Sequence, residues 1–399
     1  MTAFLTILFW TGLLLLLYTY IGYALVLTII SWFRRSYAAP HFTDDQLPDV
    51  TVLIAAYNEE DFIEDKINNT LSLDYPMDKL SVFIVSDGST DHTPQIVKKI
   101  HAVKLFHETL RKGKIHAVNR VMKAVTTPIV IFTDANTLLS PQSLKNIVRH
   151  YQDPQVGGVA GEKRIIKRDS DNATGSGEGV YWKYESWLKK KDSDVNSIVG
   201  AAGELFSIRT ELYEDGDENA IIEDFLLSMG IAARGYRFIY EREACATETA
   251  SVSIREEWKR KVRICAGGFQ AIARLKHLLN PLKYGMLSFQ YISHRVLRWT
   301  LAPISLPLVL VSNIWLAAAT GSSLYSIMLT GQVGFYLLAF LGYVMRERKI
   351  SIKGFFVPYY FVIMNLAVFA GFKRFLLGQQ SVIWDKAARA SMHAESIKT

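Results

Sequence analysis

The chain has 399 residues, 45 Lys and Arg against 38 Asp and Glu, a formal charge of +7, and half its residues hydrophobic. Its mean hydropathy is +0.13 and its pI near 9.1, which is high for a soluble protein and suits a chain lying against an anionic leaflet. Nucleic acid is disfavoured, since no basic run carries stacking aromatics and no zinc spacing occurs. The two cysteines, Cys245 and Cys265, are too few for a disulfide framework and read as reduced, partly buried filler.

Met1 to Phe33 carries no charge, and Arg34-Arg35 closes the run. A bilayer core takes about 20 mostly apolar residues as helix. The run lacks the positive start and short core of a cleaved signal, so residues 1–35 are expected to be a retained transmembrane helix. A linker with Pro40 and Pro48 follows.

From Val50 apolar runs alternate with helical patterns. "DVTVLIAAY" reads as a strand closing in Tyr57-Asn58-Glu59-Glu60. "DFIEDKINNTLSL" has apolar residues at 62, 63, 67 and 71, which is helical spacing. "LSVFIVSD" is a second strand ending in Asp87-Gly88, and Asp91 with Thr93-Pro94 marks a helix start, with capping as the expected job of Asp91. "GKIHAVNRVMKAV" is a third helix and "PIVIFTDA" a buried strand. Strands alternating with helices predict an α/β domain with a mainly parallel sheet covered on both faces. Ligands bind such sheets beyond the carboxyl ends of the strands. The acid-bearing ends "AYNEE", "SDGST" and "TDANT" all lie there. The glycine-rich dinucleotide fingerprint and the P-loop are both missing, which disfavours a dehydrogenase or an NTPase.

Residues 251–298 have basic, amphipathic spacing and read as interfacial helices. Trp299 to Met345 is free of charge, as is Gly354 to Phe372, so residues 299–376 are expected to hold two or three spans, with 377–399 a tail. Arg34 and Arg35, Lys283, Arg295 and Arg298, and Arg346, Arg348 and Lys349 place residues 36–250 in the cytoplasm. The last run conflicts with this rule: a full span would put Lys373, Arg374, Lys386 and Arg389 outside. A re-entrant or interfacial element is the alternative. The expected location is the plasma (inner) membrane of the cell, multi-pass.

These motifs, in order "VTVLIAAYNEE", "FIVSDGSTD", "RKGKIHAVN", "FTDANT", "GAAGELFSIR", and "IIEDF" before "GYRFIY", resemble the family 2 glycosyltransferases, inverting enzymes with a GT-A type nucleotide-sugar domain. The resemblance runs from about Val50 to Gln270. With its flanking spans the chain is similar to the membrane-integrated branch, which includes cellulose, hyaluronan, chitin and poly-N-acetylglucosamine synthases.

The residues carry their own chemistry beside that resemblance. Glu59 and Asp87 offer acceptor oxygens suited to a nucleoside's ring N–H and ribose hydroxyls. Arg111, Lys112 and Lys114 around Gly113 suit a diphosphate, and the resemblance makes Lys114 the nucleotide contact. Asn119, on the same helix, reads equally well as a packing residue. "TDAN" stands where the family has Asp-x-Asp. Asp134 is therefore the expected ligand for Mg2+ or Mn2+, with Asn136 supplying a carbonyl oxygen but no charge. An acceptor hydroxyl needs a general base within hydrogen-bond reach, and the family pattern gives that place to Asp224, with Glu223 on the acceptor side, orienting the site or pairing with a cation. The resemblance also places Gly203 and Glu204, within Gly200 to Phe206, along the acceptor channel.

Processive members carry Gln-x-x-Arg-Trp. Here "WKRKVRICAGGFQ" aligns Arg263 with the arginine, a diphosphate clamp, but position 264 is isoleucine. The implied activity is transfer of a sugar from a nucleotide-diphosphate-sugar, uridine being the family's usual base, to a saccharide acceptor in cell-surface polysaccharide synthesis. A further protein could complete polymer export. Addition of a single sugar to a lipid-linked acceptor and a catalytically degenerate membrane scaffold are the alternatives.

Overall fold

The computed structural model describes residues 1–34, 46–166, 174–249, 254–347 and 353–379. Most of the linker, Arg35, Arg348, Lys349, the junction at 250–253 and the tail from 380, with Lys386 and Arg389, lie outside the described residues. In chain order the main elements are α1 (Thr2–Phe33), β1 (Val50–Ala56), α2 (Ile63–Leu71), β2 (Leu80–Asp87), α3 (Thr93–Lys98), β3 (Lys104–Glu108), α4 (Lys114–Met122), β4 (Ile129–Asp134), β5 (Leu138–Leu139), α5 (Ser143–Val148), β6 (Val156–Ile166), α6 (Thr174–Val195), β7 (Leu205–Arg209), α7 (Glu223–Ala233), β8 (Arg237–Thr249), α8 (Ile254–Arg274), α9 (Leu301–Thr320), α10 (Ser323–Glu347) and α11 (Lys353–Leu376). The described residues divide into two compact units: 46–166, 192–249 and 254–256 around the sheet, and 1–34, 174–191, 257–347 and 353–379 with the apolar helices.

The sheet has eight strands in the order β3-β2-β1-β4-β7-β6-β8-β5. Strands β3, β2, β1 and β4 run parallel. β7 is antiparallel to β4 and to β6, β6 is parallel to β8, and β5 closes the edge antiparallel to β8. The mixed α/β sheet thus keeps the expected parallel run and adds a reversal at β7. Alternate residues of a strand face opposite sides. Val50, Val52 and Ile54 of β1 pack with Ile63 and Ile67 of α2 and Leu144 and Ile147 of α5, while Leu53 faces Val118 and Val121 of α4 and Phe206 and Ile208 of β7. Both faces are therefore buried, which is why β1 and β4 read as near-continuous apolar runs.

Among the described residues, four helices are long and apolar enough to cross a bilayer: α1, α9, most of α10 and most of α11. Small residues let such helices approach. A Cβ at Gly12 would stand 2.7 Å from Val309 Cγ2, which is how closely α1 and α9 meet. α11 packs on α8 through Ala367 and Val368 against Cys265, with Trp258 and Phe269 alongside. The same unit holds a buried carboxylate, Glu185 on α6, which accepts hydrogen bonds from Arg295 (2.6 Å) and Arg298 (3.1 Å). Removing Glu185 would leave both arginines without their shared counter-charge.

Candidate functional site

The parallel register brings three strand ends to one edge. Ala55 of β1 faces Val85 of β2 on one side and Asp134 of β4 on the other. Glu59 follows β1 and is 7% exposed. Beside it Asn58 takes a left-handed backbone (φ 53°) and accepts from Thr90 N–H at 2.8 Å, which ties the loop after β1 to the loop after β2. Asp91 accepts from Thr93 N–H (3.0 Å) and Glu60 N–H (3.1 Å), so it both starts α3 and fastens the β1 loop. Asp87 accepts from Lys112 N–H (2.9 Å) and Gly113 N–H (2.8 Å). Each carboxylate oxygen keeps acceptor capacity beyond one such bond. Asp87 therefore holds the basic turn and keeps acceptor capacity for a further donor. Arg111 of that turn stacks 3.5 Å over the ring of Tyr57.

Lys114 opens α4 and is the electrostatic centre. Its Nζ lies 2.8 Å from Asp134 Oδ1 and 3.2 Å from Glu223 Oε1. Burial pulls its pKa down, but Asp134, Glu223 and Asp224 overcome this and hold it above the ordinary lysine value. Asp224 sits in the first turn of α7. Burial and then the Glu223 charge push its pKa up to about 7, with Lys114 and the hydrogen bond from Phe225 N–H pulling the other way. The lysine thus pairs directly with Glu223, while burial and that neighbouring charge hold the Asp224 carboxyl up.

The loop before β7 closes the site. Gly200 has φ 86°, and a Cβ there would meet the Phe225 ring at 2.0 Å, so only glycine fits. A Cβ at Gly203 would stand 3.1 Å from Lys114 Nζ, 3.4 Å from Asp224 Oδ2 and 3.8 Å from Asp134 Oδ1. The glycine leaves open the space on which these charges converge. Glu204 is held by Lys163, which also binds Glu248.

Residues 51–216 match the model of glycosyl transferase family 2. The chain carries a family 2 glycosyltransferase domain. Its relatives include the poly-beta-1,6-N-acetyl-D-glucosamine synthase of Staphylococcus aureus (strain MSSA476), 28% identical over 243 residues, 59% of this chain and 58% of the relative. The Staphylococcus epidermidis synthase of the same name is 27% identical over 237 residues, 57% of each chain. The alignment thus spans less than two thirds of these relatives' length. In fold, a mannosyltransferase from Pyrobaculum calidifontis, solved in complex with GDP-Man and Mn2+, superposes with a TM-score of 0.73. It is 24% identical, and the match covers 94% of this chain and 99% of that one. The sheet of the family 2 domain is of the GT-A type.

Glu59, Asp87, Lys114, Asp134, Gly203, Glu204, Glu223 and Asp224 all fall in the sheet unit, the last two beyond the matched residues 51–216, and Lys114, Asp134, Gly203, Glu223 and Asp224 gather at one edge. Asn136 is half-buried in the turn after β4. Arg263 lies on α8, in the unit of apolar helices. Trp258, on the same helix, packs against Cys265, Ala367 and Val368. Asn119 donates to Gly216 C=O (2.9 Å) and accepts from Tyr213 O–H (2.6 Å) and Gly216 N–H (2.9 Å), so it anchors the loop before α7. Lys66 is a site-facing residue that the sequence reading passed over. It falls in the stripe Ile63, Lys66, Ile67, Thr70 that α2 buries, and a lysine in an apolar stripe was the available signal.

The donor set fits a hard cation. Among the described residues no group of three His, Cys, Asp or Glu side chains is placed to hold a metal ion. Asp134, with the Asn136 carbonyl, would supply a minority of the oxygens, which suits an ion such as Mg2+ that keeps waters and shares substrate phosphates.

Proposed function

We propose that this chain is an inverting transferase that moves a sugar from a UDP-sugar to a saccharide acceptor at the membrane, in polysaccharide synthesis. The observation that carries the reading is Asp224, a carboxyl with pKa about 7 set across Gly203 from the Lys114–Asp134 pair. A general base works best with a pKa near the working pH.

In this reading Glu59 and Asp87 hold the nucleoside, and the turn fastened by Asp87 presents backbone and Lys114 to the diphosphate. Asp134 and Asn136 would hold Mg2+ or Mn2+, which when bound neutralises diphosphate charge; the mannosyltransferase of like fold, solved with Mn2+, supports that class of ion. The acceptor hydroxyl oxygen forms its bond to the anomeric carbon as the bond to the diphosphate oxygen breaks. Its proton passes to Asp224, the electron pair leaves with the nucleoside diphosphate, and Lys114 takes up the growing negative charge. Arg263 is read as a diphosphate clamp from its place in the family pattern alone. Gly203 and Glu204 line the acceptor side, and Glu223 keeps Lys114 in place. Ile264 in the place of tryptophan removes a stacking platform beneath the acceptor. That favours a second reading, addition of one sugar to a lipid-linked acceptor; product length from purified protein separates the two.

The test is Asp224→Asn. Transfer should fall by about 10²–10⁴-fold, while UDP affinity measured by calorimetry on the same folded variant stays at the wild-type level. Unchanged transfer would remove Asp224 as the base; loss of both quantities would make the acid pair structural.

A further inference from the structure

Lys66 lies on α2 with no exposed surface, at a position that the neighbouring Ile63 and Ile67 use for the core. Its Nζ donates to Thr133 Oγ1 at 2.9 Å and to Thr137 Oγ1 at 3.3 Å. These two hydroxyls bracket Asp134, Ala135 and Asn136 and stand 3.0 Å apart. Thr137 Oγ1 lies 2.9 Å from the Asp134 carbonyl and Thr133 Oγ1 2.9 Å from the Glu204 carbonyl. A hydroxyl has one proton and two lone pairs. Lys66 fills an acceptor position on each, so each hydroxyl keeps its proton to donate to its carbonyl or to the other hydroxyl. The network has the buried Lys66 amine at its root, one branch ending on the backbone of Asp134 and the other on the backbone of Glu204.

Such a root is costly. Burial lowers the Lys66 pKa to about 7, and the nearest charge that resists this is Asp134. For stability alone an apolar side chain in that stripe would serve as well or better. What an apolar residue lacks is the ability to orient two hydroxyls at once. Elements far apart in sequence meet at this lysine: α2, the turn after β4, and the loop before β7.

We propose that Lys66 is a positioning residue for the cation and diphosphate end of the site. Through Thr133 and Thr137 it sets the Asp134–Asn136 turn and the Glu204 backbone in one geometry. The proposal rests on the reading of Asp134 as a cation ligand. Groups behind a ligand matter because they fix its direction, and their loss lowers metal affinity by about 10–100-fold.

The experiment uses the full chain in detergent and two folded variants. Lys66→Met keeps an unbranched stem but removes the shared donor. Thr137→Val cuts one branch while leaving Lys66 in place, and it decides the matter if Lys66→Met does not fold. Mn2+ binding in the presence of UDP is followed by electron paramagnetic resonance, and UMP binding without metal by calorimetry. The expected result is a loss of Mn2+ affinity of about tenfold or more in both variants, with a broadened bound-Mn2+ spectrum and UMP affinity unchanged. UMP reports the Glu59 and Asp87 end, which Lys66 does not touch. Wild-type Mn2+ affinity in folded variants overturns the proposal. So does a joint fall of Mn2+ and UMP affinity, which would make Lys66 a packing residue. Asp134→Ala separates the two ideas. If it weakens Mn2+ binding while Lys66→Met does not, only the role of Lys66 fails. If Asp134→Ala leaves Mn2+ affinity intact, the cation assignment itself falls.

Discussion

At the residue scale the chemistry turns on how the acids around Lys114 are placed. Asp224 is crowded by burial and by Glu223, while Glu223 and Asp134 share Lys114. Because the Asp224 pKa is raised to about 7, the carboxyl is protonated and unable to accept a proton below that pH. The expected kcat/KM for transfer therefore climbs with pH and levels off above about 7. Glu223→Gln removes the charge that helps hold the pKa up, so the rising limb should move to lower pH. Profiles of the two proteins over the same buffers check this; a limb that stays in place would detach it from Asp224. Asp134 stood out because an acid ending a buried run has few structural reasons to be there, and Asp224 because the family resemblance singles out its motif. Lys66 was not, because a lone lysine in a helical pattern ordinarily marks the solvent face, and only the packing of α2 shows otherwise.

Among the elements, β7 decides how the site is assembled. Its antiparallel pairing sets Leu205 beside Thr133, so the amino end of β7 lies at the edge where β4 ends. This brings Gly203 and Glu204 to Asp134. A parallel β7 would have put that loop at the far side of the sheet. Strand direction has no local signature, since "ELFSIR" reads alike either way. The loop before α7 depends on a side chain from α4: Asn119, 9% exposed, makes its hydrogen bonds to Tyr213 and Gly216. Asn119→Ala leaves those groups without their partner and should destabilise the fold by about 1–3 kcal/mol. Thermal or denaturant unfolding of the solubilised protein measures this; an unchanged midpoint would mean that water replaces the amide.

For the whole molecule, the open matter is which side of the membrane the sheet unit occupies. The basic residues near the spans predict that it lies in the cytoplasm. The Lys189–Lys191 run is a poor protease target, being helical with Lys189 buried. Glu214 and Glu218, with side chains 74% and 63% exposed, are better placed. A glutamate-specific protease should cut there in sealed inside-out vesicles and leave right-side-out vesicles intact. The reverse pattern would put the donor site outside, away from the nucleotide-sugar pool. α11 is long and apolar enough to span, although Lys373 and Arg374 close its last turn.

Apolar run length, strand–helix alternation and acids at strand ends are local properties of a chain. They were enough to predict apolar spans around an α/β domain and to single out Glu59, Asp87 and Asp134 at strand ends, while Asp224 came from the family resemblance. Contacts between distant segments have no such local signal. The reversal at β7, the Lys114 bridge between Asp134 and Glu223, the Asn119 anchor and the buried amine of Lys66 each join residues far apart in sequence. Only the tertiary structure decided them, because charge placement and hydrogen-bond direction depend on which surfaces the core brings together.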